Sequence, residues 1–109
     1  MGQELFTVQA SAAVTASANG GAVVPTFANN QGFNATTSTH TALGVYGLDL
    51  DQALNAADAV IVFGIRGAGD GSCNVVHTSD TRKTVTALLA GAASDAVSFD
   101  IVVFRRPGA

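Results

Sequence analysis

The chain has 109 residues, a net charge of −3 and 12% charged residues, about half the usual share of roughly 25%. This length indicates one domain, which can bury a core without a metal or disulfide. Cys73 is the only cysteine, so an intrachain disulfide is excluded. With no cluster of cations and no long apolar run, the composition predicts neither a nucleic-acid partner nor a membrane partner.

Charge is distributed very unevenly along the chain. Glu4 is the only charged residue before Asp49, and every other charged side chain follows. A free-standing domain normally spreads charge over its whole surface. The uncharged part is therefore expected to meet protein, either other copies of the chain or a larger assembly. We interpret residues 1–109 as one domain in which residues 1–40 are either a contact arm or edge strands.

Alternation with period two predicts a chain made almost entirely of strands. The first runs from Phe6 to Thr15, with Phe6, Val8, Ala10, Ala12 and Val14 expected on one buried face. A loop is expected over 29–34, and a turn with a short helical segment over 51–58. The further strands are expected at Ala22–Phe27, where Pro25 indicates an edge or a bulge, and at Ala42–Asp51, Ala59–Arg66, Cys73–Ser79, Thr81–Leu89 and Val97–Arg105. The preceding stretch, Thr36–Thr41, is also rich in β-branched threonine.

These segments give about seven or eight strands at the spacing of a β-sandwich or barrel. Ala59–Arg66 is apolar on both faces for most of its length, which predicts a central strand. In the closing strand, Val97, Phe99, Ile101 and Val103 alternate and are expected at the centre of the core. Gly67–Ser72 and Asp80–Lys83 are expected to form solvent-facing hairpin loops.

Three patterns resemble ligand sites, and each has a simpler structural interpretation. Gly67–Ser72 lacks the helix that a phosphate loop requires, so a hairpin tip is expected. Asp49, Asp51 and Asp58 supply fewer oxygens than calcium needs. His40 and His77 lie in strand-like stretches and are expected to form cross-strand hydrogen bonds.

The sequence shows no reactive constellation that would indicate catalysis. Cys73 has no nearby base and is expected to be a small buried side chain. We therefore predict no catalytic, cofactor-binding or metal-binding residue, and no enzyme activity. Among the aromatic residues, Tyr46, Phe63 and Phe99 are expected in the core. Phe27 and Phe33 lie in the uncharged region, where core packing is the favoured role for them. They are also the best candidates for anchors of a subunit contact, since aromatic residues dominate interface energetics.

The last two-thirds of the chain resembles a known group of virion proteins. The resemblance is carried by Gly44–Leu50, an acidic turn, the strand ending in Arg66, the Thr78–Thr81 hairpin and Phe99–Arg105. These features are similar to small all-β modules of tailed-phage virions, which occur as fibre or spike knobs and as capsid-decorating subunits. The resemblance implies a single β-sandwich of jelly-roll type and a homotrimer.

The resemblance favours a capsid decoration or cement subunit that stabilises an assembled shell. No collagen-like or coiled-coil stalk accompanies the module, which argues against a fibre tip. The expected partners are further copies of the chain and a major capsid or other virion protein. The expected location is the virion, assembled in the host cytoplasm. A receptor- or glycan-binding knob is the first alternative, and a small enzyme is the second.

Overall fold

A computed structural model of the chain describes residues 5–21, 23–66 and 69–108. Within these residues the fold is all-β, as the alternation predicts. A 3-10 turn at Ala56–Asp58 lies in the segment for which a short helical turn is expected. The strands are β1 (Thr7–Thr15), β2 (Thr26–Gln31), β3 (Thr39–Ala42), β4 (Val45–Asp49), β5 (Ala59–Arg66), β6 (Gly71–His77), β7 (Arg82–Leu89), β8 (Ala92–Ala93) and β9 (Ser98–Arg105).

The strands form two antiparallel sheets. Sheet 1 has the order β2-β1-β9-β5, and sheet 2 has the order β3-β4-β7-β6 with β8 paired to the end of β7. The first and last strands, β1 and β9, therefore lie side by side at the centre of sheet 1. Among the described residues, no helix is long and apolar enough to cross a bilayer.

The two sheets enclose one hydrophobic core, and the fold is thus a β-sandwich. In β9 the side chains of Phe99, Ile101 and Val103 are fully buried, as is Val97 just before the strand. The ring of Tyr46 in sheet 2 meets Phe99 edge to face, with 5.3 Å between centroids. The predicted central position of the closing strand is confirmed.

Two predictions of strand position are wrong. Ala59–Arg66 has the predicted bounds, but β5 lies at the edge of sheet 1. The apolar residues on its second face point away from the core, and Val62 among them is 49% exposed. The strand expected at Ala22–Phe27 instead begins at Thr26, because Pro25 has no N–H to donate to a ladder. It continues into the predicted loop and ends at Gln31.

The segment from 36 to 51 folds as a hairpin of two strands. β4 lies inside the strand expected at Ala42–Asp51, and β3 covers the end of the threonine-rich stretch. Gly44 makes this hairpin turn possible with a φ of +68°, a conformation that favours glycine. A Cβ atom at this position would also lie 2.5 Å from the carbonyl oxygen of Ala87. This hairpin and the two-residue β8 account for a total of nine strands within the described part of the chain.

Candidate interaction surface

The outer face of sheet 1, which points away from the core, carries a cluster of exposed apolar side chains. We call this cluster the outer apolar patch and define it by Phe6, Val8, Val60, Val62 and Phe104. Phe6 and Val8 are each 51% exposed, and Val60 and Phe104 are half-buried. Exposed apolar clusters of this kind mark surfaces that contact protein or other apolar partners.

Strand register brings the members of the patch together. Phe104 of β9 lies directly opposite Val8 of β1 on one side and Val60 of β5 on the other. The ring of Phe6 meets Phe104 edge to face at 6.3 Å. Phe6, Val60, Val62 and Phe104 line a shallow depression of about 260 Å³.

A β-bulge in β1 creates half of this patch. The register of β1 against β9 shifts between Val8 and Ala10, so Gln9 is an extra residue in the ladder. Because each step along a strand reverses the side-chain direction, one extra residue moves Val8 from the inner face to the outer face. The prediction that Phe6 and Val8 share the buried face of Ala10 is therefore wrong. The Gln9 side chain donates to the Gln52 carbonyl at 2.8 Å.

The two predicted anchors, Phe27 and Phe33, lie inside the fold. Phe33 is 3% exposed, and Phe27 is half-buried against the same core. Their rings stack on each other with 6.0 Å between centroids. Phe33 therefore presents no surface to a partner in the folded chain. Among the described residues of the uncharged segment Gly2–Asn34, the large exposed apolar side chains belong instead to Leu5, Phe6 and Val8. Residues 2–4 and Ala22 lie outside the described part.

The most extensive buried polar cluster surrounds His40. Its Nε2 atom lies 2.7 Å from Oδ1 of Asp95, and its Nδ1 atom lies 3.2 Å from the Ala18 carbonyl oxygen. The ring stacks on Tyr46 and is fully buried. The cluster ties β3 to the β1–β2 connection and to the turn before β9. Its buried ring position indicates a structural role, but its hydrogen bonds go to a loop and a turn and not across the sheet as expected.

Burial favours the neutral forms of two nearby groups, the Cys73 thiol and the Tyr46 hydroxyl. Burial raises the pKa of the Cys73 thiol to about 11. Burial, and after it the negative charge of Asp95, raises the pKa of Tyr46 to about 12. A thiol with a raised pKa is a poor nucleophile at neutral pH.

The hairpin between β6 and β7 differs from the solvent-facing loop that was expected. Lys83 is fully buried on the inner face of sheet 2, where its Nζ atom donates to the carbonyls of Leu54 at 2.7 Å and Ser79 at 2.9 Å. Burial lowers the pKa of Lys83, and Asp80 only partly offsets this effect. Asp80 itself is exposed.

The three aspartates considered for calcium have separate partners. Arg82 binds the Asp49 carboxylate through Nε at 2.7 Å and Nη2 at 3.0 Å, and this hydrogen-bonded pairing lowers the pKa of Asp49. Asp58 accepts from Asn55, and Asp51 is exposed. Across the described residues, no group of three or more His, Cys, Asp or Glu side chains could hold a metal ion.

The glycine-rich segment Gly67–Ser72 leads into a strand. Gly71 and Ser72 begin β6, and Gly69 and Asp70 are exposed. Gly67 and Ala68 lie outside the described residues. Because a strand and not a helix follows, the segment lacks the helix N-terminus that a phosphate loop uses.

Comparison of the chain with protein-family models, with curated proteins and with solved structures finds no match. Inference about function therefore rests on the chain's own surface. In the described part, the outer apolar patch is the cluster of apolar side chains that the fold leaves uncovered. An apolar surface of this kind can contribute binding energy by excluding water.

Proposed function

We propose that the chain is a structural subunit of a tailed-phage virion, a decoration or cement protein that binds the assembled capsid shell. The observation that carries this proposal is the outer apolar patch on sheet 1. The patch is a shallow apolar depression that extends across the neighbouring strands β1, β9 and β5, which suits it to another protein surface. The partner is a major capsid protein or another virion protein, and the location is the virion.

The charge distribution supports docking through this face. Phe6 and Val8 belong to the segment in which Glu4 is the only charge. Burying uncharged surface avoids the desolvation penalty that buried ions incur. The nearest charged pair identified on this face is Arg66 with Asp100, whose atoms meet at 2.7 Å and remain exposed. Such a pair can stay at the solvated rim of an interface.

Jelly-roll type is part of the same proposal. The central pairing of β1 with β9 and the crossings from β4 to β5 and from β5 to β6 between sheets support it. The direct hairpins β1–β2, β3–β4 and β6–β7 depart from the usual pattern of two Greek keys. The resemblance further implies a homotrimer, which a mass measurement can test.

The proposed action is stabilisation by mass action. A subunit that binds the assembled shell, and not its dissociated proteins, lowers the free energy of the assembled state by an amount set by its concentration relative to Kd. No chemical step is required. The chain needs only a pre-formed apolar face and a fold stable enough to hold it.

The test is to locate the chain on particles purified from cells that produce it. Mass spectrometry of gradient-purified particles should find the chain in a fixed ratio to the major capsid protein. A cryo-EM map should place sheet 1 against the shell. Recovery of the chain only as free protein would overturn the proposal, and density at a fibre or spike tip would support the receptor-binding alternative instead.

A further inference from the structure

We propose that β5 is a homotypic pairing edge: two copies of the chain join β5 to β5 about a two-fold axis and extend sheet 1 across the pair. This inference concerns self-association: it replaces the homotrimer that the resemblance implies with a two-fold dimer, and it does not depend on the proposed contact with the capsid. It rests on the unpaired edge of β5, on the charges of Asp58 just before that strand and of Arg66 at its end, and on the position of the outer apolar patch.

The free side of β5 is suited to pairing with another strand. β5 is eight residues long and pairs with β9 on one side without any register shift. It lies last in the order of sheet 1, so no described strand pairs with its other side. A long, regular, apolar edge presents unpaired N–H and C=O groups that template another strand.

The other edges carry features that oppose such pairing. β2 is largely polar, its register against β1 is shifted, and Asn29 within it has a φ of +53°. β3 has four residues and a register shift, and β8 has two residues. β6 pairs with β7 without a register shift, but polar Ser72 and Asn74 both lie on its exposed face. Short length, bulges and polar faces are the usual protections of an edge.

Charge complementarity selects the register. In a two-fold antiparallel pair, side chains keep their faces only if one residue lies opposite its own copy. With Val62 at the axis, Arg66 at the end of β5 faces the partner's Asp58, the residue that ends the 3-10 turn just before the partner strand. With Phe63 at the axis, Arg66 would instead lie opposite the partner's Val60. The first register brings opposite charges together at both ends: Arg66 is 60% exposed although it also binds its own Asp100, and Asp58 keeps its negative charge while accepting from its own Asn55.

Pairing in this register also joins the two outer apolar patches. A two-fold axis perpendicular to the sheet keeps both outer faces on the same side of the dimer. Val62 contacts its copy at the axis, and each patch extends outward from it through Val60 and Phe104. The dimer thus presents one continuous apolar surface with twice the area of the patch on a single chain.

The test is the mass of the isolated protein by light scattering and by sedimentation at micromolar concentration. The wild-type chain should have twice the 10.9 kDa mass of one chain. Val62→Lys places two like charges face to face at the axis and should weaken the dimer Kd roughly hundred-fold. The matched control is Val76→Lys, since Val76 is 64% exposed on β6 of the other sheet; this variant should remain dimeric.

A charge-reversal series tests the register. Asp58→Lys and Arg66→Glu should each weaken the dimer, by roughly ten-fold in Kd, because each change affects both ends. The double variant should restore most of the lost affinity. Circular dichroism should show that all variants keep the wild-type β signal.

Three results would overturn the proposal. A wild-type monomer would show that the edge does not pair. A wild-type trimer unaffected by Val62→Lys would indicate a three-fold contact elsewhere, because a closed three-fold ring uses a different kind of interface. Dissociation by Val76→Lys, with Val62→Lys still dimeric, would place the contact on β6. Each result is read on isolated protein and leaves the virion proposal to its own test.

Discussion

Asp95 is the residue on which two distant segments converge, the β1–β2 connection and the β3–β4 hairpin. Its Oδ1 atom accepts from the backbone N–H of Gly44 at 2.6 Å and lies 2.7 Å from His40 Nε2, while Oδ2 accepts from Asn19 at 3.3 Å. Burial acts to raise the pKa of Asp95, but the hydrogen bonds from Gly44, His40 and Asn19 outweigh it and hold the pKa below 3.8. The charged carboxylate therefore stabilises the junction of β3 with the turn before β9.

Asp95→Asn is expected to reduce the free energy of unfolding at neutral pH by about 1–3 kcal/mol. Because the folded pKa is lowered, the contribution of the carboxylate is complete above 3.8 and is lost as the pH falls below that value towards the folded pKa. The difference between wild type and variant should thus shrink with acidification. Denaturant unfolding at a series of pH values measures this. Asp51→Asn, at an exposed position, is the control and should show little difference at any pH.

Lys83 should also make the free energy of unfolding depend on pH, but here because burial disfavours the charged form. Its folded pKa is lowered by burial, so between that pKa and the ordinary value of 10.5 the unfolded chain holds more protons than the folded chain. Stability from this group therefore rises with pH across that window. The free energy of unfolding of wild type relative to Lys83→Met should increase as the pH is raised towards 10.5. A flat or falling difference would show that burial does not lower the pKa of the amine.

At the scale of the secondary-structure element, β9 holds the sandwich together. It pairs with β1 on one side and β5 on the other, and Phe99 meets both Tyr46 and Phe63 edge to face. Phe99→Ala is expected to cost about 3–5 kcal/mol, because the ring is fully buried and its removal leaves a cavity. Chemical denaturation measures the loss. Phe6→Ala, which removes an exposed ring, is the matched control, and an equal loss in both variants would contradict the assigned faces.

The strands with strong alternation could be predicted from the sequence. β5 has the predicted bounds, and β9 begins one residue later than predicted. Sheet order could not be predicted in this way, because an apolar pattern does not distinguish a central strand from an edge strand that exposes valine. β5 illustrates this limit.

The candidate site was missed for a related reason. One bulged residue, Gln9, reverses the faces of Val8 and the residues before it, and alternation alone contains no signal for a bulge. The lack of charge in the N-terminal segment does single out the stretch that contains Phe6 and Val8. It did not identify which aromatic side chains are exposed, because Phe27 and Phe33 are apolar in the same way as Phe6. Only register against neighbouring strands separates them.

For the molecule as a whole, we expect the outer apolar patch to make the contact with the proposed shell. The patch combines exposed apolar residues of β5 and β9 with those of the uncharged segment, and its burial would exclude water without burying ions. Such binding is expected to depend only weakly on salt, since ionic screening acts on charge pairs and not on apolar contact.

The most direct measurement is occupancy of the chain on purified particles for Phe6→Asp and Val76→Asp at low and at high ionic strength. Both variants add one negative charge at an exposed apolar position, but on opposite faces of the sandwich. We expect Phe6→Asp to be lost from particles, while Val76→Asp and wild type stay bound at both ionic strengths. Full occupancy of Phe6→Asp, together with release of wild type at high ionic strength, would show that charged residues, and not the outer apolar patch, make the contact.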